Sequence, residues 1–354
     1  MIPTLEKEGH DLNIKNTTPD SFKQQPIQYR FQQALIEHIE KEKSQVATPP
    51  PDATTTPSGP PVAPTVRAHP PTPKNPPAPA KNDKKKLVRK VFGPPTSTVH
   101  HSRLPIFAAT RRPTERIQWI FENAWGTAEV TGILGQNHRD LHDLIMTEGL
   151  DYEQGKKREL YVTIDPYNIQ KNLGWKRPDL DYLYELLEDM RRSDVRIKYK
   201  GGGDSLGGIV SNIDREYKAI PGPGGCVLER HLWQITMNQT WMKLYDTSIK
   251  VRCKPALNII LQMRSGYSQA LARFFLTQSN TMSMDLPDCL QALGIEMEAK
   301  YVRRDMKPDA ELLARLGITF WPAGTVNYSK QDGLVSFEIP QIMKSSTVAK
   351  KSVR

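Results

Sequence analysis

Four basic residues near the C-terminal end of the chain lie on one face of a predicted helix. Lys300, Arg303, Arg304 and Lys307 are spaced i, i+3, i+4 and i+7, which places them on one side of an α-helix. A guanidinium is a planar fork of donors that can bind phosphate or bond O6 and N7 of guanine. Many such faces are only solvated, so the neighbouring elements must decide between the two interpretations.

Further cations lie in the middle of the chain, around a predicted turn and at the start of a predicted hairpin. They are Lys171, Lys176, Arg177, Arg191, Arg192, Arg196, Lys198 and Lys200. These positions suit contacts to a phosphate backbone, which fix register without reading sequence. Solvated surface explains any one of them equally well. In a later hairpin, Asn327, Tyr328 and Lys330 are candidate contacts by position alone.

Catalytic and metal chemistry find little support in the sequence. No GxxxxGK[ST] motif is present, which argues against a P-loop ATPase or helicase. His138 and His142 are spaced i, i+4 but have no evident third ligand, so the pair is interpreted as helix surface. The nearby acids Asp140, Asp143 and Glu148 are interpreted in the same way. We therefore expect a protein that is not an enzyme and holds no metal or cofactor.

The stretch YKGGGDSLGG (199–208) is rich in glycine but does not have the pattern of a phosphate-binding loop. No lysine and hydroxyl follow the glycines, and GxGxxG is not matched. VRIKYK before it and GIVSNIDREYK after it have the alternation of strands. The stretch is predicted to be the turn of a hairpin between them.

The positive charge of the chain is concentrated in its two ends. The net charge of +10 divides into +6 over residues 1–105 and +4 over 341–354, while 106–340 has 30 residues of each sign. No run of 18 apolar residues and no signal-peptide pattern occurs. The three cysteines form no CxxC pair. These features predict a soluble cytoplasmic protein without membrane contact.

The N-terminal region has the composition of a disordered segment. Sixteen of the 29 prolines lie between Pro49 and Pro105, and residues 32–91 contain no aromatic residue. Residues 1–103 are predicted to be a disordered tail with a Pro-rich linker at 47–105. A short amphipathic helix is predicted at 27–44, either as a docking element or as a transient helix. Residues 341–354 are predicted to be a basic disordered tail.

From about Leu104 the pattern becomes that of folded domains. Helices are predicted at 113–124 and 139–148, and a strand at LYVTI (160–164). DPYNIQKNLGW (165–175) and DLPDCLQALGI (285–295) then match in length and pattern, with Asp first, Leu ninth and Gly tenth. An amphipathic helix and a hairpin follow each of them.

This order of helix, turn, helix and hairpin is typical of a winged helix, and it occurs twice. We therefore predict the α+β class, with two tandem winged-helix domains at 104–240 and 241–340. The four-cation face lies on the second helix of the second unit, the helix that enters the major groove in helix-turn-helix proteins. Pro308 is predicted to kink or end that helix near Met306, with a new helix from Pro308 to Gly317. The second hairpin is predicted within GTVNYSKQDGLVSFEI (324–339).

Residues 104–340 resemble plasmid replication initiators of the TrfA-type, broad-host-range group. LYVTIDPYNIQKNLGW and DYLYELLEDMRRSDVRIKYK resemble their first winged helix, and MSMDLPDCLQALGI and KYVRRDMKPDAELLARLGI resemble their second. The resemblance implies binding to repeated origin sites (iterons), opening of AT-rich DNA and recruitment of the host helicase. It also implies base reading by Lys300, Arg303, Arg304 and Lys307 from the helix matching 299–316. Pro308 departs from a continuous recognition helix.

The expected partners follow from the same resemblance. They are double-stranded origin DNA and, through the N-terminal tail, the host helicase and initiator proteins, with a monomer–dimer equilibrium. The alternative function is a winged-helix transcriptional regulator or partition protein, because this fold serves many roles. Repeated sites beside AT-rich DNA favour the initiator, and a palindrome at the protein's own promoter favours the regulator.

Overall fold

The computed structural model describes residues 89–90, 93–199, 203–221, 227–278, 280–321 and 324–340. The predicted helix at 27–44, most of the Pro-rich linker and the tail 341–354 lie outside them. The helices are α1 Val99–Arg103, α2 Gln136–Glu148, α3 Pro166–Asn172, α4 Leu180–Arg192, α5 Gln239–Thr247, α6 Lys254–Ile260, α7 Gly266–Leu276, α8 Leu286–Ala292, α9 Ala299–Met306 and α10 Ala310–Arg315. The strands are β1 Arg89–Lys90, β2 Ser97–Thr98, β3 Arg116–Asn123, β4 Gly126–Gly132, β5 Asp151–Gln154, β6 Leu160–Ile164, β7 Asp194–Tyr199, β8 Gly203–Gly207, β9 Val210–Pro221, β10 Val227–Met237, β11 Lys250–Arg252, β12 Met282–Asp285, β13 Ile318–Phe320, β14 Thr325–Tyr328 and β15 Ser336–Glu338. The protein is thus a mixed helix and sheet structure.

Two parts of the chain repeat one order of elements. Unit 1 consists of α2, β6, α3, α4, β9 and β10, and unit 2 consists of α7, β12, α8, α9 with α10, β13 and β14. In each unit the first strand pairs with the third and the third with the second, giving the sheet orders β6-β10-β9 and β12-β14-β13. All of these pairs are antiparallel. The two units therefore share connectivity as well as element order.

The turn between the two helices is the closest local match between the units. In unit 1 the amide of Trp175 donates to the carbonyl of Gln170 at 3.1 Å, and in unit 2 Ile295 donates to Leu290 at 2.9 Å. The glycine before each donor has a positive φ, +74° at Gly174 and +63° at Gly294. This is the Schellman ending of a helix, which favours glycine because a side chain is strained at positive φ. The two eleven-residue motifs thus fold alike.

The predicted helix at 113–124 is wrong, because residues 116–123 form strand β3. From Trp119 to Asn123, partly buried and exposed residues alternate with the period of a strand, after a bulge between Arg116 and Trp119. Aromatic and β-branched residues also favour strands over helices. β3 pairs with β4 as an edge strand of the sheet β3-β4-β7-β8.

The glycine-rich stretch does form a hairpin, but not the hairpin predicted. β7 pairs with β8, which lies inside the stretch itself, from Gly203 to Gly207. The following strand β9 instead pairs with β10 in a different sheet. The β7–β8 hairpin extends the β3–β4 hairpin and has no counterpart in unit 2 among the described residues.

The second hairpin is also shifted from its predicted place. β14 pairs with β13 and β12, so the hairpin turn lies between Phe320 and Thr325. β15, predicted as its second strand, pairs with β11 instead. β11 also pairs with β2, which brings three distant segments into one small sheet.

The folded region begins earlier than the predicted boundary at Leu104. Ser97 and Thr98 form β2, and the residues from Val99 to Arg103 form helix α1. Val99 and Leu104 are each about 1% exposed and belong to the main core. The prediction of a disordered tail through 103 is therefore wrong for residues 97–103, most of whose side chains are buried.

Candidate nucleic-acid interface

Helix α9 presents three of the four predicted cations to solvent. Val302 and Met306 are buried and hold the helix on the core, whereas Lys300, Arg303 and Arg304 are exposed. Buried and exposed positions alternate with helical period, so the amphipathic pattern of the sequence is realised here. Its position is the second helix after the turn at Gly294, as predicted.

The end of α9 coincides with the predicted break at Pro308. α9 ends at Met306, residues Lys307–Asp309 form a 3₁₀ turn, and α10 begins at Ala310. Asp309 is buried, and its two carboxylate oxygens accept the backbone N–H groups of Arg264 and Ser265, both at 2.8 Å. The break thus anchors the cation-bearing segment to the start of α7, and Lys307 lies exposed on the 3₁₀ turn rather than on α9.

Lys300 and Arg304 have only weak competitors for a bound anion. Lys300 contacts Glu298 at 2.7 Å and Arg304 contacts Asp305 at 3.2 Å, with all four side chains largely exposed. Exposed pairs of this kind contribute about 0–1 kcal/mol. The ring of Tyr301 lies 4.8 Å from Lys300 Nζ and 5.6 Å from Arg304 Cζ. α9 therefore offers cations on both sides of an exposed aromatic ring.

The equivalent helix of unit 1, α4, has the opposite character. Its sequence LDYLYELLEDMRR contains four acids and two arginines. Both arginines pair with the single carboxylate of Glu188, Arg191 at 2.8 Å and Arg192 at 3.3 Å. A nucleic-acid backbone would be repelled by the rest of this helix. The two units therefore differ in charge at matching positions.

The other predicted cations of unit 1 are scattered. Arg196 is held by Asp204 at 2.8 Å across the β7–β8 hairpin, and Lys198 lies opposite the same acid. Lys200 lies outside the described residues. Lys176 and Arg177 are exposed after the turn, and no carboxylate of the described residues forms an ion pair with either. The described residues of unit 1 therefore contain no cluster of exposed cations comparable to that of α9.

Of the three predicted hairpin contacts, Tyr328 is placed where it cannot meet a ligand. It is 2% exposed and packs on Phe275 with ring centroids 5.8 Å apart. Burial raises the pKa of its phenol to about 12. Asn327 lies half-buried in the central strand of its sheet, and Lys330 is also half-buried, two residues beyond the strand. The prediction for Tyr328 is wrong because alternation along β14 turns it into the core.

α2 buries His138, His142, Asp140 and Asp143, so their interpretation as helix surface is wrong, whereas Glu148 is only partly buried. His138 accepts the N–H of Gly135 at 3.1 Å, and its other nitrogen lies 3.2 Å from Asp189. His142 accepts the indole N–H of Trp241 at 3.1 Å, so its Nδ1–H donates to Asp143 at 3.0 Å. Both nitrogens of each ring are engaged, which leaves neither for a metal.

Asp140 and Asp143 belong to a buried ion-pair network that joins the first helices of the two units. Arg273 on α7 contacts Asp140 at 2.7 Å and Asp143 at 3.0 Å. Arg139 on α2 contacts Asp143 at 3.0 Å. Burial by itself would raise the pKa of Asp143, but the two guanidiniums outweigh it and hold that pKa well below its usual range. The network is structural, since its groups satisfy one another.

The described residues include neither a cluster suited to a metal ion nor a helix suited to span a membrane. No group of three or more His, Cys, Asp or Glu in them is arranged to hold a metal ion. Within the same part of the chain, no helix has the length and apolar character needed to cross a membrane.

Comparison with known proteins gives only distant structural likeness. No family model matches the sequence, and no curated protein matches it. A crystal structure of domains 2 and 3 of RctB aligns with a TM-score of 0.42 at 11% identity, covering 66% of this chain and 99% of that chain. A second structure of the same RctB domains aligns with a TM-score of 0.39 at 11% identity, covering 70% and 99%. Both TM-scores lie under 0.5, and structural similarity at this level does not indicate a function.

Proposed function

We propose that the chain is a non-enzymatic protein that binds double-stranded DNA through unit 2. The main observation in its support is the exposed cationic face of α9. α9 is the second helix of a helix-turn-helix, and a hairpin follows it. The strand order shared by both units supports their assignment as tandem winged helices. Helices in this position enter the major groove, where arginine bonds guanine.

The difference in charge between α9 and α4 supports different roles for the two units. α9 places Lys300, Arg303 and Arg304 outward, with Lys307 just beyond, while α4 is acidic and its two arginines share one carboxylate. Sequence reading therefore belongs to unit 2. Unit 1 contributes at most phosphate contacts, through residues such as Lys176 and Arg177.

The more specific proposal is a plasmid replication initiator that recognises repeated origin sites, opens the neighbouring DNA and recruits host replication proteins. Its support is the resemblance of residues 104–340 to TrfA-type initiators. A footprint on the replicon that carries the gene separates it from the regulator alternative. Direct repeats beside AT-rich DNA support the initiator, and protection confined to a palindrome at the promoter contradicts it.

The DNA-binding proposal is tested by Arg303→Ala and Arg304→Ala. The probe is a duplex selected by the unchanged chain from a random pool. We expect each substitution to weaken binding to that duplex by roughly 5- to 150-fold, the equivalent of about 1–3 kcal/mol for a bidentate contact to guanine. Binding to an unselected duplex should fall far less, because only one phosphate-attracting charge is lost.

Arg192→Ala is the matched control, since it removes an exposed arginine from the equivalent helix of unit 1. It should leave binding to the selected duplex within about threefold, because the four acids of α4 disfavour a close approach of the DNA backbone. If Arg303→Ala and Arg304→Ala both leave the selected duplex bound as tightly as before, α9 is not the reading helix.

A further inference from the structure

An exposed tryptophan lies at the turn of the unit 2 hairpin. The side chain of Trp321 is 61% exposed, whereas Trp125, Trp233 and Trp241 are buried and Trp119 and Trp175 pack partly against the core. All six tryptophans of the chain lie in the described residues. Leaving so large an apolar ring in water forgoes a large burial energy, so a role in contact with another molecule is favoured.

Two backbone hydrogen bonds join the described ends of the turn. The N–H of Trp321 donates to the carbonyl of Thr325 at 2.9 Å, and the N–H of Gly324 donates back to the carbonyl of Trp321 at 3.0 Å. Residues 322 and 323 lie outside the described residues. The ring is thus carried by a hydrogen-bonded turn, which limits the entropy lost when it makes a contact.

The same turn is attached to the first helix of the helix-turn-helix. The N–H of Leu286, the first residue of α8, donates to the carbonyl of Gly324 at 3.0 Å. The hydroxyl of Thr325 donates to Asp285, its register partner, at 2.9 Å. The first helix of such a motif crosses the DNA backbone while the second enters the groove. A DNA duplex docked on α9 would therefore pass close to the turn that carries Trp321.

The chemistry of the hairpin indicates what Trp321 can bind. Residues 318–328, ITFWPAGTVNY, contain no charged residue of either sign. The hairpin therefore cannot hold phosphate by an ion pair, and its exposed outer face is polar apart from one indole. Aromatic side chains stack on the faces of bases, both at unstacked duplex steps and on single strands.

We propose that the indole of Trp321 stacks on the face of a nucleobase when unit 2 is bound to DNA. The base belongs either to an unstacked step of the duplex or to a strand already separated. This inference rests on the proposed function, because it takes α9 as the element that docks the duplex. The stacked indole would add a contact that favours distorted or opened DNA beside the site recognised by α9.

The test measures binding of the full chain and its Trp321→Ala and Trp321→Phe variants. The probes are the selected duplex, the same duplex with a two-base mismatch at one end, and one strand of it alone. We expect Trp321→Ala to weaken binding to at least one probe by roughly 5- to 150-fold, and Trp321→Phe to retain most of the affinity. Thr319→Ala changes an exposed residue of β13 two positions before Trp321, and it should have no effect on binding.

A second readout does not depend on affinity. Tryptophan emission excited at 295 nm should be quenched on adding DNA, and this change should be largely missing in Trp321→Phe, where the other five tryptophans remain. Loss of affinity on the intact duplex alone assigns an unstacked step, and loss on the mismatched or single-stranded probe assigns a separated base. Both outcomes support stacking.

The proposal is overturned if Trp321→Ala binds all three probes like the unchanged chain and the quenching persists in Trp321→Phe. It is also overturned if Trp321→Ala changes only the sedimentation of the free protein, because the ring would then be a protein contact. If Trp321→Ala is silent while Arg303→Ala weakens binding, the stacking contact fails and the proposed function stands. If Trp321→Ala weakens binding while the α9 variants do not, the reading helix has been misassigned.

Discussion

His100 and His101 on α1 and His142 on α2 are buried. Burial, with Arg103 as a second cause, lowers the pKa of His100 to about 4. Burial and then Arg139 lower the pKa of His101, and burial lowers that of His142. His101 stacks on Trp241 with ring centroids 4.2 Å apart, and His100 lies 2.6 Å from the hydroxyl of Ser248. These rings pack as neutral groups.

A pH dependence of folding follows from the pKa of His100. Below about pH 6.5 the unfolded chain takes up a proton that the folded chain refuses until about pH 4, so stability is full above pH 6.5 and is lost as pH falls through that window. One such group changes the free energy of unfolding by at most about 1.4 kcal/mol per pH unit. Urea unfolding of the chain at pH 7, 6 and 5 should show this loss.

The variant His100→Gln separates this histidine from its neighbours. It should reduce the pH slope between 6.5 and 5 while His101 and His142 maintain the remainder. The same slope in the variant and in the unchanged chain would show that His100 does not contribute.

At the scale of elements, the Schellman turns at Gly174 and Gly294 have the same backbone structure but different neighbours. An added Cβ at Gly174 would meet nothing within 4 Å. At Gly294 it would lie 3.1 Å from Pro105 and 3.2 Å from Phe121 on β3. The first turn is therefore free at its surface, whereas the second packs against another element.

This difference predicts unequal costs for the same substitution. Gly174→Ala should lower the free energy of unfolding by about 1–2 kcal/mol, the cost of a side chain at positive φ. Gly294→Ala should cost at least about 1 kcal/mol more, because its neighbours must also move. Urea unfolding measures both, and Gly174→Asn should recover part of the loss, since asparagine tolerates this conformation. Equal costs at the two sites would argue against the packing of Gly294 on β3.

At the scale of the whole molecule, Arg273 joins unit 2 to unit 1. Its guanidinium reaches both Asp140 and Asp143 and also donates to Gln136 at 2.9 Å, all three on α2. The groups are buried, so removing one partner leaves uncompensated charge. The relative placement of the units depends in part on this contact.

Arg273→Met should therefore lower the free energy of unfolding by about 3–5 kcal/mol, as for other broken buried ion pairs. Lys254→Met is the control, because it removes an exposed lysine that contacts the partly buried Glu148 of the same α2 helix at 2.9 Å. The control should cost at most about 1 kcal/mol. A loss of similar size in both variants, measured by urea unfolding, would contradict a structural role for the buried network.

The sequence by itself determined the local features of this protein. The two matching eleven-residue motifs fold alike, and the amphipathic face of α9 and the break at Pro308 lie where the pattern predicted them. Each depends on interactions within a few residues, which spacing along the chain encodes directly.

Only the tertiary structure decided strand pairing and burial. The pairing of β7 with β8, of β13 with β14 and of β15 with β11 depends on which strands meet in space. The burial of Asp140 and Asp143 depends on Arg273, which lies 130 residues from Asp143 along the chain. A charged helix face that pairs with a distant arginine has the same local pattern as one that faces water. Residue spacing cannot distinguish them, because the partner that compensates the buried charge is supplied by the fold.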